Sequence, residues 1–136
     1  MAKTSGLGST ISVDDASGTP RDISNDVTSF NTGTPRGVQD ITGVDKSAME
    51  RLLLLTDGTV SLTGVVNTAT NKSHDVFKTV TSGSVNRTVA VTFGTGGPVL
   101  TMECLFSDYA LTRNQDGSLT WTVSGVLADG NAPVWS

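Results

Sequence analysis

The side chains that could do chemistry are few in this sequence and stand apart from one another. His74 is the only histidine and Cys104 the only cysteine among 136 residues. A nucleophilic triad needs an oriented base within reach of a Ser or Cys. Asp75 is poorly placed to orient His74, because neighbours at i and i+1 do not face each other on a helix. We expect His74 in a capping or surface role and Cys104 as a buried structural thiol, so no enzyme is predicted.

Acidic pairs and a glycine-rich turn suggest two other kinds of site, and neither has the required pattern. Asp14 with Asp15, and Asp22 with Asp26, supply oxygen ligands, but no run matches the alternating ligands and distal Glu of a calcium loop. The glycine-rich residues 94–97 join two predicted strands and open no helix, which favours a hairpin over a phosphate loop. One cysteine excludes an internal disulfide and a cysteine zinc cluster. We predict no metal and no cofactor.

The composition favours a weakly charged polar surface. The chain of 14.1 kDa carries 13 acidic and 9 basic side chains, for a formal charge of −4 and a pI near 4.7. That balance argues against a nucleic-acid binder held by phosphate contacts, which needs a basic face. Charged residues make up only 16% of the chain, against about 25% in an average domain. A surface of Thr, Ser and Gly costs little to bury against another copy, which hints at assembly.

The first residues and the apolar runs give an expectation about location. The opening MAKTSG lacks the apolar stretch of a signal peptide, and the longest apolar run is Leu52 to Leu55. About 20 apolar residues are needed to span a bilayer, so we predict no membrane segment. We expect the protein to be made and kept in a reducing cytoplasm, unless it leaves inside a larger particle.

Period-two alternation of apolar and polar residues dominates the chain and predicts β-strands. The strongest signals cover residues 58–67, 87–93, 100–106 and 119–127, with the last three forming a meander. Weaker signals are a short strand at Ile11 and Val13 and a second strand over residues 22–30. A polar stretch with Gly and Pro follows over residues 31–44, and a loop of that length is expected to have a function.

Two segments have a helical pattern. Residues 45–55 combine a capping-box spacing, Ser47 to Glu50, with an apolar stripe, and predict the main helix. Residues 73–80 predict a second, short helix. The predicted fold is mainly β, an antiparallel β-sandwich or barrel of one domain over residues 1–136, with one main α-helix packed on it.

Together these segments resemble the major tail tube proteins of long-tailed bacteriophages, in particular those of actinobacterial hosts. The resemblance covers nearly the whole chain and depends on the order and spacing of its segments. Besides the stretch 43–55, the segments are GLGSTISVDD at 6–15, RDISNDV at 21–27, SHDVF at 73–77, DYALTR at 108–113 and LADGNAPVWS at 127–136.

The resemblance implies a homo-oligomer: hexameric rings stacked into a hollow tail tube, with strands of each subunit joining one ring-wide β-barrel. It implies a virion protein assembled in the host cytoplasm, beside a tape measure protein, a tail terminator and distal tail or baseplate proteins. Genomic DNA would pass through the lumen without specific binding. Arms at 1–9 and 129–136 and the long loop at 31–44 would bridge subunits. The expected inter-subunit contacts are Pro35, Arg36, Val38, Ile41 and Trp135.

An acidic wall would repel DNA phosphates and let the duplex slide. By alternation, Asp22, Asp26 and Glu103 lie opposite the apolar face of their strands, which makes them the candidates for facing the lumen. The alternative is that they are ordinary solvated strand residues.

Other functions remain open at this point. A tail terminator, a capsid decoration protein or the inner tube of a contractile tail are related alternatives. Trp121 and Trp135 also suggest a carbohydrate-binding β-sandwich. However, Trp121 falls on the predicted core face, and Trp135 has the character of an anchor that docks into a partner.

Overall fold

The computed structural model describes residues 3–136, and within them it contains ten strands, one short α-helix and one 3₁₀ turn. The strands are β1 Thr10–Asp14, β2 Pro20–Asp22, β3 Val27–Gly33, β4 Arg36–Asp40, β5 Arg51–Thr56, β6 Thr59–Val65, β7 Arg87–Thr92, β8 Val99–Arg113, β9 Leu119–Leu127 and β10 Val134–Trp135. The 3₁₀ turn is Ser24–Asp26 and the helix, α1, is Ser73–Phe77.

Most strands belong to one antiparallel sheet in the order β2-β1-β7-β8-β9-β6-β3. The 15-residue β8 links two parts of this sheet. It pairs with β7 over residues 99–104 and with β9 over 104–113, with a bulge between Phe106 and Asp108. We call β2, β1, β7 and residues 99–104 of β8 the β1 half-sheet. Residues 105–113 of β8 with β9, β6 and β3 form the β9 half-sheet.

The two half-sheets share one core, as the alternation predicts. In the strongly alternating strands the predicted inward positions are mostly buried and their polar neighbours are more exposed. Phe77 of α1 packs on Phe106 and Trp121, with ring centroids 5.3 and 5.4 Å apart. The fully buried residues from both half-sheets include Val13, Leu62, Val89, Val91, Leu100, Cys104 and Trp121. The prediction of a mainly antiparallel β-fold is confirmed.

The main helix predicted over residues 45–55 is wrong. Residues 51–56 form β5, which pairs with β4 as a separate two-stranded sheet. Four leucines in succession fit a helix or a strand equally well, and the helix propensity of Leu and Met is a weak preference that strand pairing overrides. The capping box would pair Glu50 with Ser47. Instead, the backbone N–H of Glu50 donates a hydrogen bond to Oγ1 of Thr42 at 2.8 Å.

Two other predictions need smaller corrections. The stretch 31–44, predicted to be a loop, is largely strand, because it contains the end of β3 and all of β4. The strand predicted over residues 22–30 is interrupted by the turn Ser24–Asp26. The short helix predicted over 73–80 is confirmed in part, since α1 ends at Phe77.

Two buried ions fasten the segment that carries α1 to the sheet. Nη1 of Arg87 donates to the carbonyl oxygens of Val76 at 2.6 Å and Asp14 at 3.0 Å. The carboxylate of Asp26 accepts from Nδ2 of Asn67 at 2.9 Å and from the N–H of Ser73 at 3.1 Å. Burial lowers the pKa of the Arg87 guanidinium. The negative charges of nearby Asp15 and Asp14 raise this pKa and so partly oppose the effect of burial.

Candidate assembly surface

The hairpin of β4 and β5 is held together by its own polar groups. The carboxylate of Asp40 accepts from the N–H and the hydroxyl of Thr42, at 2.9 and 2.6 Å. These bonds hold the pKa of Asp40 below its usual range. Nε of Arg36 donates to the carbonyl of Leu54 at 3.0 Å, where the pairing shifts by a bulge. The tip and the base of the hairpin are therefore both fixed.

Both faces of this hairpin expose apolar side chains. Leu53 and Val38 are directly paired on one face, while Leu52 and Leu54 lie on the other. Leu55 is 90% exposed and Leu53 56%. Isolated two-stranded hairpins are marginal in water, and an exposed apolar patch marks an interaction site. The predicted contact residues Val38 and Ile41 belong to this hairpin and are also exposed.

The β9 half-sheet has two edges that pair with nothing in the part of the chain that the structure describes. At one side, β3 pairs with β6 only. At the other, β8 leaves β7 at Cys104, so its residues 105–113 pair with β9 alone. Unpaired strand edges present backbone N–H and C=O groups that recruit further strands. The β1 half-sheet instead ends at β2, a three-residue strand that begins with Pro20, which blunts that edge.

The solvent face of the β9 half-sheet is rich in hydroxyl groups. β3, β6 and β9 contain no charged residue at all, and Asp108 is the single carboxylate that β8 adds to this face. Cross-strand pairing aligns Asn31, Ser61, Ser124 and Asp108 in one row, and Ser29, Thr63, Thr122 and Ala110 in the next. A third row holds Val65, Thr120 and Thr112. We call these three rows the hydroxyl face.

The three acidic residues predicted to face the lumen lie in different environments. Asp26 is 5% exposed and bound to Asn67 and Ser73, so the expectation that it faces outward is wrong. Alternation failed there because Asp26 is in a 3₁₀ turn. Asp22 is exposed, and hydrogen bonds from Ser24 lower the pKa of its carboxyl. Glu103 is half-buried and accepts from the hydroxyl of Thr88.

The C-terminal segment pairs with its own subunit. Trp135 in β10 pairs opposite Leu100 of β8, and its ring lies 5.6 Å from that of Phe93. Half of the Trp135 side chain stays exposed. The hairpin base adjoins this segment, because Arg36 and Leu54 line one shallow depression with residues 130–132. The hairpin and the C-terminal segment thus form one continuous surface.

The residues considered for chemistry show no catalytic arrangement. Nδ1 of His74 lies 3.1 Å from the hydroxyl of Tyr109, whereas Asp75 pairs with Lys78 at 2.7 Å. Cys104 is buried, and this burial, with Glu103 and Asp129 as smaller causes, raises the pKa of its thiol to about 12. Within residues 3–136 no three metal-ligating side chains gather. No helix in that range has the length and apolar character to cross a membrane.

Solved structures share this fold. The chain is similar to a chain in the tail of an empty GTA particle, solved by helical refinement with C6 symmetry, at a TM-score of 0.77 and 14% identity over 98% of this chain and 99% of that one. A chain in the virion of a native gene transfer agent (GTA) particle gives a TM-score of 0.76 and 13% identity, over 98% and 99%. No family model matches the sequence, and no curated protein is similar to it.

At these identities the comparison defines the fold alone. The chain has the mainly antiparallel β-fold of these chains from GTA particles, with α1 as a minor element.

Proposed function

We propose that this protein is a structural subunit of a phage-type tail, and that six copies form a ring whose stacking makes the tail tube. The observation that carries the proposal is the pair of unpaired edges on the four-stranded β9 half-sheet. The fold shared with a chain in a C6 tail supports it. The residue resemblance favours the noncontractile tubes of long-tailed phages of actinobacterial hosts.

Strand direction makes the two edges compatible with each other. Successive strands of the β9 half-sheet are antiparallel, so β3 and β8 run in opposite directions. When copies are related by rotation about a ring axis, β8 of one subunit meets β3 of the next as an antiparallel pair. An even number of strands keeps this alternation around the ring. The contact is head-to-tail, and such contacts build rings when the rotation closes.

The size of the resulting barrel suits a DNA duplex. Six copies of four strands give about 24 strands, which at ~4.8 Å spacing and ~40° tilt enclose a cylinder about 48 Å across at the backbone. Inward side chains reduce the free width to roughly 35–40 Å, while duplex DNA is about 20 Å wide. The tube would conduct the genome toward the host without binding it specifically.

The exposed hairpin supplies the second set of contacts. We assign Pro35, Arg36, Val38 and Ile41 to the bridge between neighbouring subunits or rings, because the apolar faces beside them are exposed among the described residues 3–136. Trp135, half-exposed next to the hairpin base, joins the same surface. The arms at 1–9 and 129–136 would extend these bridges. Residues 1–2 lie outside the described part of the chain.

The residue resemblance supplies the remaining partners of this proposal. It implies a tape measure protein, a tail terminator and a distal tail or baseplate protein. The assembled protein would reside in the virion tail after assembly in the host cytoplasm.

Proline substitutions in β8 test the edge contact, with a built-in control. Successive N–H groups in a strand point to opposite sides, so of Ala110 and Leu111 one faces β9 and the other faces the open edge. Of Ala110→Pro and Leu111→Pro, one should break the β9 ladder and unfold the sheet, while the other removes only an edge donor. We expect the variant that removes only the edge donor to give a native circular dichroism spectrum but no tubes in negative-stain micrographs.

Wild-type protein should form rings or hollow tubes in the same images. A wild-type protein that stays monomeric, or a folded proline variant that still forms full-length tubes, would contradict the proposal.

A further inference from the structure

We propose that the hydroxyl face is the wall of the conduit, and that Asp108 provides its only ring of charge. This inference rests on the proposed tube. It differs from the expectation of an acidic wall, because Asp22 and the Thr88-bound Glu103 belong to the outer face of the β1 half-sheet.

Only one face of the β9 half-sheet is available to a lumen. The opposite face carries Leu62, Trp121 and Phe106, which are buried in the core against the β1 half-sheet and α1. The β1 half-sheet must lie on the outside of the barrel. Six copies of it would not fit inside a cylinder about 48 Å across, since stacked sheets are ~10 Å apart.

The cross-strand register makes the hydroxyl face continuous around the ring. Two of the rows run across all four strands, from β3 through β6 and β9 to β8, for example from Ser29 through Thr63 and Thr122 to Ala110, while the third row spans β6, β9 and β8. Pairing β8 of one copy with β3 of the next places the end of one row beside the start of another. The wall would therefore consist mainly of hydroxyl groups, interrupted by Ala110 and Val65 and by the paired Leu105 and Val126 of the adjacent row, with six Asp108 carboxylates at one level.

A hydroxyl wall suits the passage of a polyanion. The salt-dependent affinity of proteins for DNA comes from Lys and Arg that replace counterions at the phosphates, and the hydroxyl face has neither. Ser and Thr hydroxyls keep a layer of bound water, and their hydrogen bonds to phosphate oxygens exchange readily with water. The six carboxylates repel the DNA phosphates at a single level of the tube. This repulsion keeps DNA from binding to the wall there, while the rest of the wall does not oppose its movement.

Cysteine labelling of assembled tubes tests this assignment. Ser124→Cys places a thiol on the hydroxyl face, and Asp22→Cys is the matched control on the outer face of the β1 half-sheet. The native Cys104 is buried and should stay unlabelled. A small maleimide should reach both engineered thiols. A maleimide on a polymer wider than the lumen should label Asp22→Cys and lose its reaction with Ser124→Cys once tubes form.

The outcomes separate this inference from the proposed function. If micrographs show tubes and the polymer reagent labels Ser124→Cys as readily as in free subunits, the hydroxyl face does not line the lumen. If Asp22→Cys becomes shielded from the polymer reagent instead, the outer face of the β1 half-sheet lines the lumen. Thr122→Cys repeats the test on the neighbouring row, so that one substitution that impairs assembly does not decide the result. If wild-type protein forms no tubes, the proposed function itself fails.

Discussion

The region around α1 and the hairpin of β4 and β5 differ in which of their groups find partners within the chain. Around α1, the ions of Arg87 and Asp26 are buried and bound within the same subunit. In the hairpin, the backbone is paired, yet apolar side chains such as Leu53 and Leu55 face solvent. The first region has its polar groups bound within one chain, whereas under the proposed function the second is covered only on assembly. Stability and assembly should therefore respond to different substitutions.

The largest effect on stability is expected from Arg87→Ala. This change leaves the carbonyls of Val76 and Asp14 without their donor, at a cost of about 3 kcal/mol in the free energy of unfolding. Urea denaturation followed by circular dichroism measures it. Lys78→Ala is the control, since its pair with Asp75 is exposed and screened by solvent, so its loss should change the free energy of unfolding little. Equal decreases in the free energy of unfolding for the two variants would contradict the structural role of Arg87.

Asp26→Asn should destabilise the subunit next most strongly. Its carboxylate accepts from both Asn67 and Ser73, and an amide nitrogen at one of these positions would face another donor. We expect a loss of about 2 kcal/mol in the free energy of unfolding. Asp116→Asn, in the exposed turn before β9, provides the control and should change little. An unchanged unfolding midpoint for Asp26→Asn would restore the possibility that this carboxylate acts outside the subunit.

The double substitution Leu53→Ser with Leu55→Ser should affect assembly rather than folding. Both side chains are exposed, so the free energy of unfolding of the subunit should change by less than about 1 kcal/mol. Ring and tube formation should be lost. Sedimentation velocity with negative-stain imaging reports both states, and Gln39→Ser in the paired strand is the polar control. Tubes formed as readily by the double variant would show that the hairpin faces are not contact surfaces.

The smallest effect is expected from acid at the hairpin tip. Hydrogen bonds from Thr42 lower the pKa of Asp40 in the folded state, so their stabilisation is fully present above the usual Asp range. It is lost as the pH falls through the lowered pKa. The amide shift of Thr42 in an NMR titration should therefore move with a midpoint below that of an unstructured Asp. A midpoint at or above the ordinary value would show that the tip is not ordered in this way.

The contrast between these regions also explains what the sequence could predict. Strands with one buried face, such as β7 and β9, alternate visibly, and their positions are confirmed, with Val89, Val91, Trp121 and Val123 buried while Leu119 at the start of β9 is exposed. Neither strand of the hairpin has a buried residue within the described range 3–136, so residues 51–56 show no alternation of apolar and polar side chains. The roles of Asp26 and Arg87 depend on partners more than 40 and 70 residues away, at Ser73 and Asp14, which no local pattern encodes.

Amide hydrogen exchange, compared between dispersed subunits and assembled tubes, tests the central claim most directly. We expect the outward-facing amides of β3 and of residues 105–113 in β8 to exchange freely in the subunit and to become protected on assembly. The amides of β7, already paired on both sides by β1 and β8, should change little. Tubes in which both edges of the β9 half-sheet keep the exchange rates of the free subunit would contradict the account.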